Sequence, residues 1–356
     1  MNGPALSAMA LVAVTGVANA GGTETPNATA YASLDRELEA LAGTLAAAES
    51  GVKVSGYIKT NIVSQDSTTP GGPDTLGTQL NGVRLNFAAD ITDTMKMKLS
   101  IDGAKGTVDL KDGFGWVKLC EAVNLTFGQY RVPILQSSSA SDDTLAFYER
   151  TAQGAVWSGR EPGVMFDGKI QQFRWYASAQ NGGDGVSDEL LLAGHVAFDV
   201  KGSGITKQEA GFGTQAETAL TLGATYLDEG TLTDGTVMAF EVLAVTGPVF
   251  VQGEILDYDD GFTTGAVTTG AAKSASGRAD TTPFDLTATY QFNPNWEGAV
   301  RYEDADDADD TSTVGLGVNY YVNGHKAKWQ LNFLSTSSDN DALDTDKIIL
   351  GLVLAV

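Results

Sequence analysis

The stretch from Arg131 to Glu161 crowds side chains that could handle an anion: Arg131, Ser137, Ser138, Ser139, Asp142, Asp143, Glu149, Arg150 and Arg160. Guanidinium and hydroxyl groups in one segment can receive phosphate or another oxyanion through paired, charge-assisted hydrogen bonds. The same arginines and carboxylates could instead hold the segment against neighbouring chain, and the residues leave both readings open. Acyl-transfer chemistry fits poorly, because the serine cluster has no nearby His as base and no nucleophile elbow, Walker loop or zincin motif occurs. The chain therefore does not read as an enzyme, and no motif asks for a cofactor. The single Cys120 excludes a disulfide framework, and His195 and His325 lie too far apart to form a local metal motif. Two aspartate-rich runs, Asp304 to Asp310 and Asp339 to Asp346, lack the ordered ligand spacing of a calcium loop. They read first as solvated loops, with attraction of cations as the alternative.

Among 356 residues, 45 acidic side chains against 22 basic ones give a formal charge of −23. That balance excludes a nucleic-acid binder, which needs a basic footprint to neutralise phosphates. Residues Ala5 to Val17 are apolar and lead into Ala18-Asn19-Ala20, a small-x-small cleavage pattern, although no Lys or Arg precedes Arg36. Residues 1–20 are thus expected to be a signal peptide. Residues 21–50 read as a polar linker and a short helix. In that helix Leu34, Leu38, Leu41 and Leu45 form a seam of about two heptads, with Ser33 as its cap. So short a seam holds only if the rest of the protein brings copies together; a helix packed on or plugging its own barrel is the alternative.

From Val52 onward the period changes to two, the strand period. Val83, Leu85, Phe87, Ala89 and Ile91 alternate with Arg84, Asn86, Ala88 and Asp90; after Thr92-Asp93-Thr94, Met95, Met97, Leu99 and Ile101 alternate with Lys96, Lys98, Ser100 and Asp102. The pattern predicts sixteen strands, at 52–64, 80–91, 95–103, 113–120, 123–131, 162–170, 172–181, 189–199, 218–228, 236–246, 248–258, 283–292, 296–303, 313–322, 326–335 and 346–356. At about 10 tilted residues each they match the roughly 25 Å apolar band of an outer membrane, so residues 51–356 are expected to form an all-β transmembrane antiparallel barrel, preceded by the short helix. Links alternate in length, short ones including Gly247-Pro248 and Asn293-Pro294-Asn295, as periplasmic turns and outer loops would. The stretch from Val200 to Glu217 breaks that rule, being too long for a turn, and the outer loop after the ninth strand is only modest. Phe292 and Trp296 flank one short turn, where an aromatic girdle would sit. On the polar face, Lys53, Lys59, Arg84, Lys96, Lys98, Arg174, Arg301, Lys326 and Lys328 are expected to line a lumen. The last strand is unusual in turning Ile349, Val353 and Ala355 to that same face.

Asn295 to Tyr302 followed by Val314 to Asn323, Phe127 to Pro133, Glu149-Arg150, Gly159 to Val164 and Gly247 to Glu254 together resemble the phosphate-selective porin O and P family. The resemblance implies a trimeric, sixteen-stranded outer-membrane channel whose third loop, here carrying Arg131 to Arg160, folds inward to form the constriction. It favours the trimer reading of the leucine seam, with that helix in the periplasm. The expected function is passive diffusion of small hydrophilic solutes and ions across a bacterial outer membrane, with a preference for phosphate or other anions. An exported acidic surface or adhesin-type protein is the alternative. Partners would be the lipid bilayer, two further copies and the solutes in transit.

Overall fold

The computed structural model describes residues 51–66, 74–104, 106–182, 190–205, 209–212, 218–230, 235–263 and 275–356. The expected signal peptide and N-terminal helix lie outside the described residues. Sixteen strands occur in chain order: β1 Val52–Gln65, β2 Thr75–Thr92, β3 Met95–Asp102, β4 Asp109–Cys120, β5 Val123–Arg131, β6 Arg160–Ile170, β7 Phe173–Gln180 and β8 Leu191–Lys201. The second half comprises β9 Ala219–Asp228, β10 Thr236–Thr246, β11 Val249–Tyr258, β12 Phe284–Asn293, β13 Trp296–Asp304, β14 Ser312–Tyr321, β15 Ala327–Ser337 and β16 Thr345–Ala355. Each pairs antiparallel with the next, and β1 closes the ring on β16 with Tyr57 opposite Ala355 and Gln65 opposite Lys347. Closure leaves no sheet edge, so the strand amides and carbonyls are satisfied within the ring, as a wall in lipid requires.

Period-two alternation explains which face each residue takes. In β10, Met238, Phe240 and Val242 point outward and are exposed, whereas Val237, Ala239, Glu241, Leu243 and Val245 point inward and are buried. The outer wall repeats this apolar exposure at Ile58, Leu222, Leu286, Leu316, Leu331 and Leu350. Aromatic pairs gather near the short turns: Phe173 and Phe198 have ring centroids 4.7 Å apart, and Trp296 and Tyr320 4.6 Å apart. Phe292 is exposed beside them, where the girdle was expected.

One end of the barrel carries tight turns at residues 93–94, 121–122, 171–172, 247–248 and 294–295. Gly247 has φ +55°, a left-handed conformation that glycine adopts without strain. The opposite end carries the longer loops. Three details correct the expected boundaries. β2 begins at Thr75, because residues 75–79 extend β1's pairing beyond the alternating apolar segment. β4 begins at Asp109 rather than 113. Lys326 lies in an exposed turn before β15 and not in a strand.

Two segments fold into the barrel. The third loop, residues 132–159, carries helix α1 (Gln136–Ser139), a 3-10 turn (Asp142–Thr144) and helix α2 (Ala152–Val156). From the short-turn end, the segment between β8 and β9 also turns inward. Its Glu209 and Ala210 are fully buried, and the Glu209 amide donates to the Thr144 carbonyl of the third loop at 3.3 Å. Phe212 stacks on Tyr321 with centroids 4.4 Å apart.

These two segments supply the interior core. Ile134, Leu135, Val156 and Trp157 pack on Leu191, Leu227, Val237, Leu256 and Tyr258. Burying a side chain of this size contributes about 1.5–3 kcal/mol. One apolar residue on the inner face of β16 is thereby explained: Ile349 packs with Tyr148 of the third loop and Val63 of β1.

Candidate pore constriction

The third loop is held at both ends of α1 by hydrogen bonds to acidic side chains at its start and to arginines at its end. At its start, the Gln136 amide donates to Glu241 Oε2 at 2.7 Å and the Ser137 amide to Glu254 Oε1 at 2.8 Å; Ser137 Oγ also donates to Glu254. At its end, Arg131 donates to the Ser138 carbonyl and, at 3.1 Å, to that of Ala140, while Arg150 donates to the carbonyls of Ser137 and Ala140. Acidic side chains accept from the amides, and guanidiniums donate to the carbonyls, that so short a helix leaves unpaired.

Beyond α1, residues 145–149 lie flat on β13 to β16. Lys328 donates to the Leu145 carbonyl at 2.7 Å, Asn319 to that of Ala146 at 2.9 Å and Arg301 to that of Glu149 at 3.0 Å. The Tyr148 amide donates to Asn332 Oδ1 at 2.7 Å, and Lys59 reaches the Tyr148 carbonyl from β1. Wall glycines make room for the rings: a Cβ on Gly351 would run into Tyr148, and one on Gly315 would meet Phe147 at 2.9 Å. Arg301 sits 4.3 Å from the Phe147 ring centroid and 3.6 Å from Glu209, so one side chain pins both inward segments.

The space left open runs along β1 to β8 and reaches Glu241 of β10. Towards the short turns is a cavity of about 560 Å³, and towards the long loops one of about 370 Å³. Arg84, Arg131, Asp142 and Arg160 line both, so they form the waist between them. Arg150 contacts Asp142 at 2.6 Å, and Arg84 lies 3.1 Å from Asp102 and 4.0 Å from Asp142. Tyr57 donates its hydroxyl to Asp142 at 2.7 Å. Asp112 accepts from Lys98 and Arg160, each at 2.7 Å. Burial alone would raise the Asp142 pKa, but Arg150, Lys59 and the Tyr57 hydrogen bond hold it well below the usual carboxylate range. The four residues common to both cavities are thus three guanidiniums and one ionised carboxylate, with Arg84 also paired to Asp102 and Arg160 to Asp112.

No protein-family model matches the sequence, and no curated protein matches it. Solved structures do resemble the fold. The chain is similar to OmpF of Salmonella typhi, solved with daunomycin, at 12% identity and TM-score 0.59, over 86% of this chain and 97% of that one. It is similar to the outer membrane channel DcaP of Acinetobacter baumannii at 11% identity and TM-score 0.58, over 86% and 97%. A triple mutant of the Rhodopseudomonas blastica porin gives 14% identity and TM-score 0.56, over 86% and 100%. At these identities the likeness shows a shared sixteen-stranded barrel.

The structure separates the residues that the sequence groups. Arg131, Asp142, Arg150 and Arg160 meet at the waist. Ser137 and Ser138 do not present hydroxyls to a solute: both are buried, Ser137 is bound to Glu254, and Ser138 donates to the Leu135 carbonyl at 2.8 Å. Ser139 lines the larger cavity. Asp143 accepts from Ser141, and Glu149 pairs with Lys347 at 3.0 Å.

The basic set divides similarly. Arg84, Lys98 and Arg174 line the larger cavity. Lys59, Arg301 and Lys328 are buried beneath the third loop. Lys53 and Lys96 each lie 3.3 Å from Asp90, largely exposed near the short turns. Lys326 is exposed in its turn. The sequence reading missed Asp102, Asp112 and Tyr57 at the waist, and Glu241 and Glu254 as the loop's anchors. A signal existed for Glu241: it is a lone carboxylate between the apolar runs Val237 to Phe240 and Val242 to Val245.

Proposed function

We propose that this chain is a bacterial outer-membrane porin through which small hydrophilic solutes diffuse passively, with anions favoured. The carrying observation is the waist, where Arg84, Arg131, Arg160 and Asp142 line both open cavities. A narrow passage selects by the local field of the groups lining it. The outward apolar wall fits a bilayer, with the short-turn end in the periplasm and the long loops outside. The leucine seam at 34–45 supports a homotrimer exported by the 1–20 signal, its helix in the periplasm, and heat-modifiable migration of the detergent-extracted protein tests that assembly.

Phosphate is one oxyanion the waist arginines suit by paired hydrogen bonds. Reconstitution in a planar bilayer under a salt gradient is the decisive measurement. The reversal potential is expected to have the sign of anion preference; absence of channels, or strong preference for cations, overturns the reading. Competition of phosphate against chloride then tests the oxyanion preference directly.

A further inference from the structure

The larger cavity has a lining that passage of hydrated inorganic ions does not require. Inward side chains of a water-filled barrel are ordinarily polar. Here Phe114 and Trp116 of β4, Met165 of β6 and Tyr176 of β7 turn into the cavity. They are half-buried and belong to none of the buried apolar clusters beneath the two inward segments. Cations flank the rings: Lys96 Nζ is 5.5 Å from the Trp116 centroid and Lys98 Nζ 5.9 Å from that of Phe114.

Independently, the Nε–H groups of Arg84, Arg131 and Arg174, which line the same cavity, are buried with no hydrogen-bond partner among the described residues. A buried donor left unpaired is costly, and a small rotation of the guanidinium towards an anion in the cavity would relieve it. An apolar wall ending in a few convergent charged groups, around a space of about 560 Å³, is the composition of a small-molecule site.

We propose that this cavity is a binding site for an aromatic carboxylate, with its ring along Phe114 and Trp116 and its carboxylate at the waist arginines. The proposal rests on the channel reading and names the solute class of that channel. An aromatic face adds stacking to charge, while Arg131, whose bonds go to backbone carbonyls, favours the anion over a neutral ring. Acetate carries the charge without the ring, and phosphate carries more charge without an apolar body, so the two isolate the contributions.

The test uses the full-length detergent-extracted protein in a planar bilayer, with potassium chloride current read while benzoate, acetate or phosphate is titrated. Benzoate is expected to half-block the current at a concentration about tenfold below acetate and below phosphate, the gain of one aromatic contact. In Trp116→Ala the benzoate-to-acetate ratio is expected to approach one, and in Trp116→Phe to remain close to that of the parent protein. Equal block by benzoate and acetate in the parent protein, or stronger block by phosphate, overturns the proposal. So does a ratio unmoved in Trp116→Ala. If Trp116→Ala does not assemble, the parent ratio alone decides. Absence of any chloride current would instead sink the channel reading, so the two failures are distinguishable.

Discussion

Asp142 concentrates the electrostatics of the waist, taking Arg150 at 2.6 Å and the Tyr57 hydroxyl at 2.7 Å. A carboxyl whose pKa is depressed by folding contributes its full stability above the unfolded value of about 3.9, and loses it only as pH falls through the lower folded value. Between about pH 7 and pH 5 it stays ionised, so it is expected to add no step of its own to the reversal potential across that window; a step there that vanishes in Asp142→Asn would contradict the assignment. Asp142→Asn itself removes the waist's one shared carboxylate and should raise the anion-to-cation permeability ratio by about two- to fivefold, as measured in a salt gradient. Arg301 makes a different prediction. Its replacement by Ala leaves Glu209 buried without its cation and should cost about 3–5 kcal/mol, read as a lower temperature for the heat-modified gel shift. Arg84, Arg301 and Lys328 share one face by strand parity, and the sequence shows that much. Which of them the third loop covers depends on contacts spanning most of the chain, and parity does not carry that information.

At the scale of elements, the strands are legible because one face of each must be apolar for the whole depth of the wall. β3 shows this with Met95, Met97, Leu99 and Ile101 set against Lys96, Lys98, Ser100 and Asp102. The start of β2 is not legible. Thr75 to Gln79 are exposed along β1's upper end, with no apolar stripe to mark them. The inward course of the segment between β8 and β9 shows only as excess length. Its docking uses a few local contacts: the Gly211 amide donating to Thr289 Oγ1 at 3.1 Å, Phe212 on Tyr321, and Ile205 among Leu243, Val245 and Phe250. Replacing residues 203–217 with a two-residue turn should open the side of the lumen along β9 to β14 and raise single-channel conductance about twofold, in proportion to added water-filled cross-section. An unchanged conductance would mean that the third loop alone sets the passage.

For the whole molecule, the −23 formal charge and the basic waist are compatible because they occupy different places. Residues 305–311 and 338–344 meet at the long-loop end, where the Asp339 amide donates to the Asp309 carbonyl at 2.6 Å, so both aspartate runs form one acidic mouth. The exposed apolar wall makes its own prediction. Phe240→Arg, on the outward face of β10, should destabilise the protein folded in a bilayer by about 2–4 kcal/mol if it lies near the midplane, measured by denaturant unfolding from vesicles. Little change would place that face in water. The third loop has a last, mechanical consequence. Its bonds reach β1 through Lys59, β10 and β11 through Glu241 and Glu254, and β13 to β15 through Arg301, Asn319 and Lys328. A cord tied to opposite sides of a hoop keeps it from flattening. The loop that narrows the passage thus also braces the ring, and the bore should keep its calibre when the surrounding bilayer is thinned or laterally compressed.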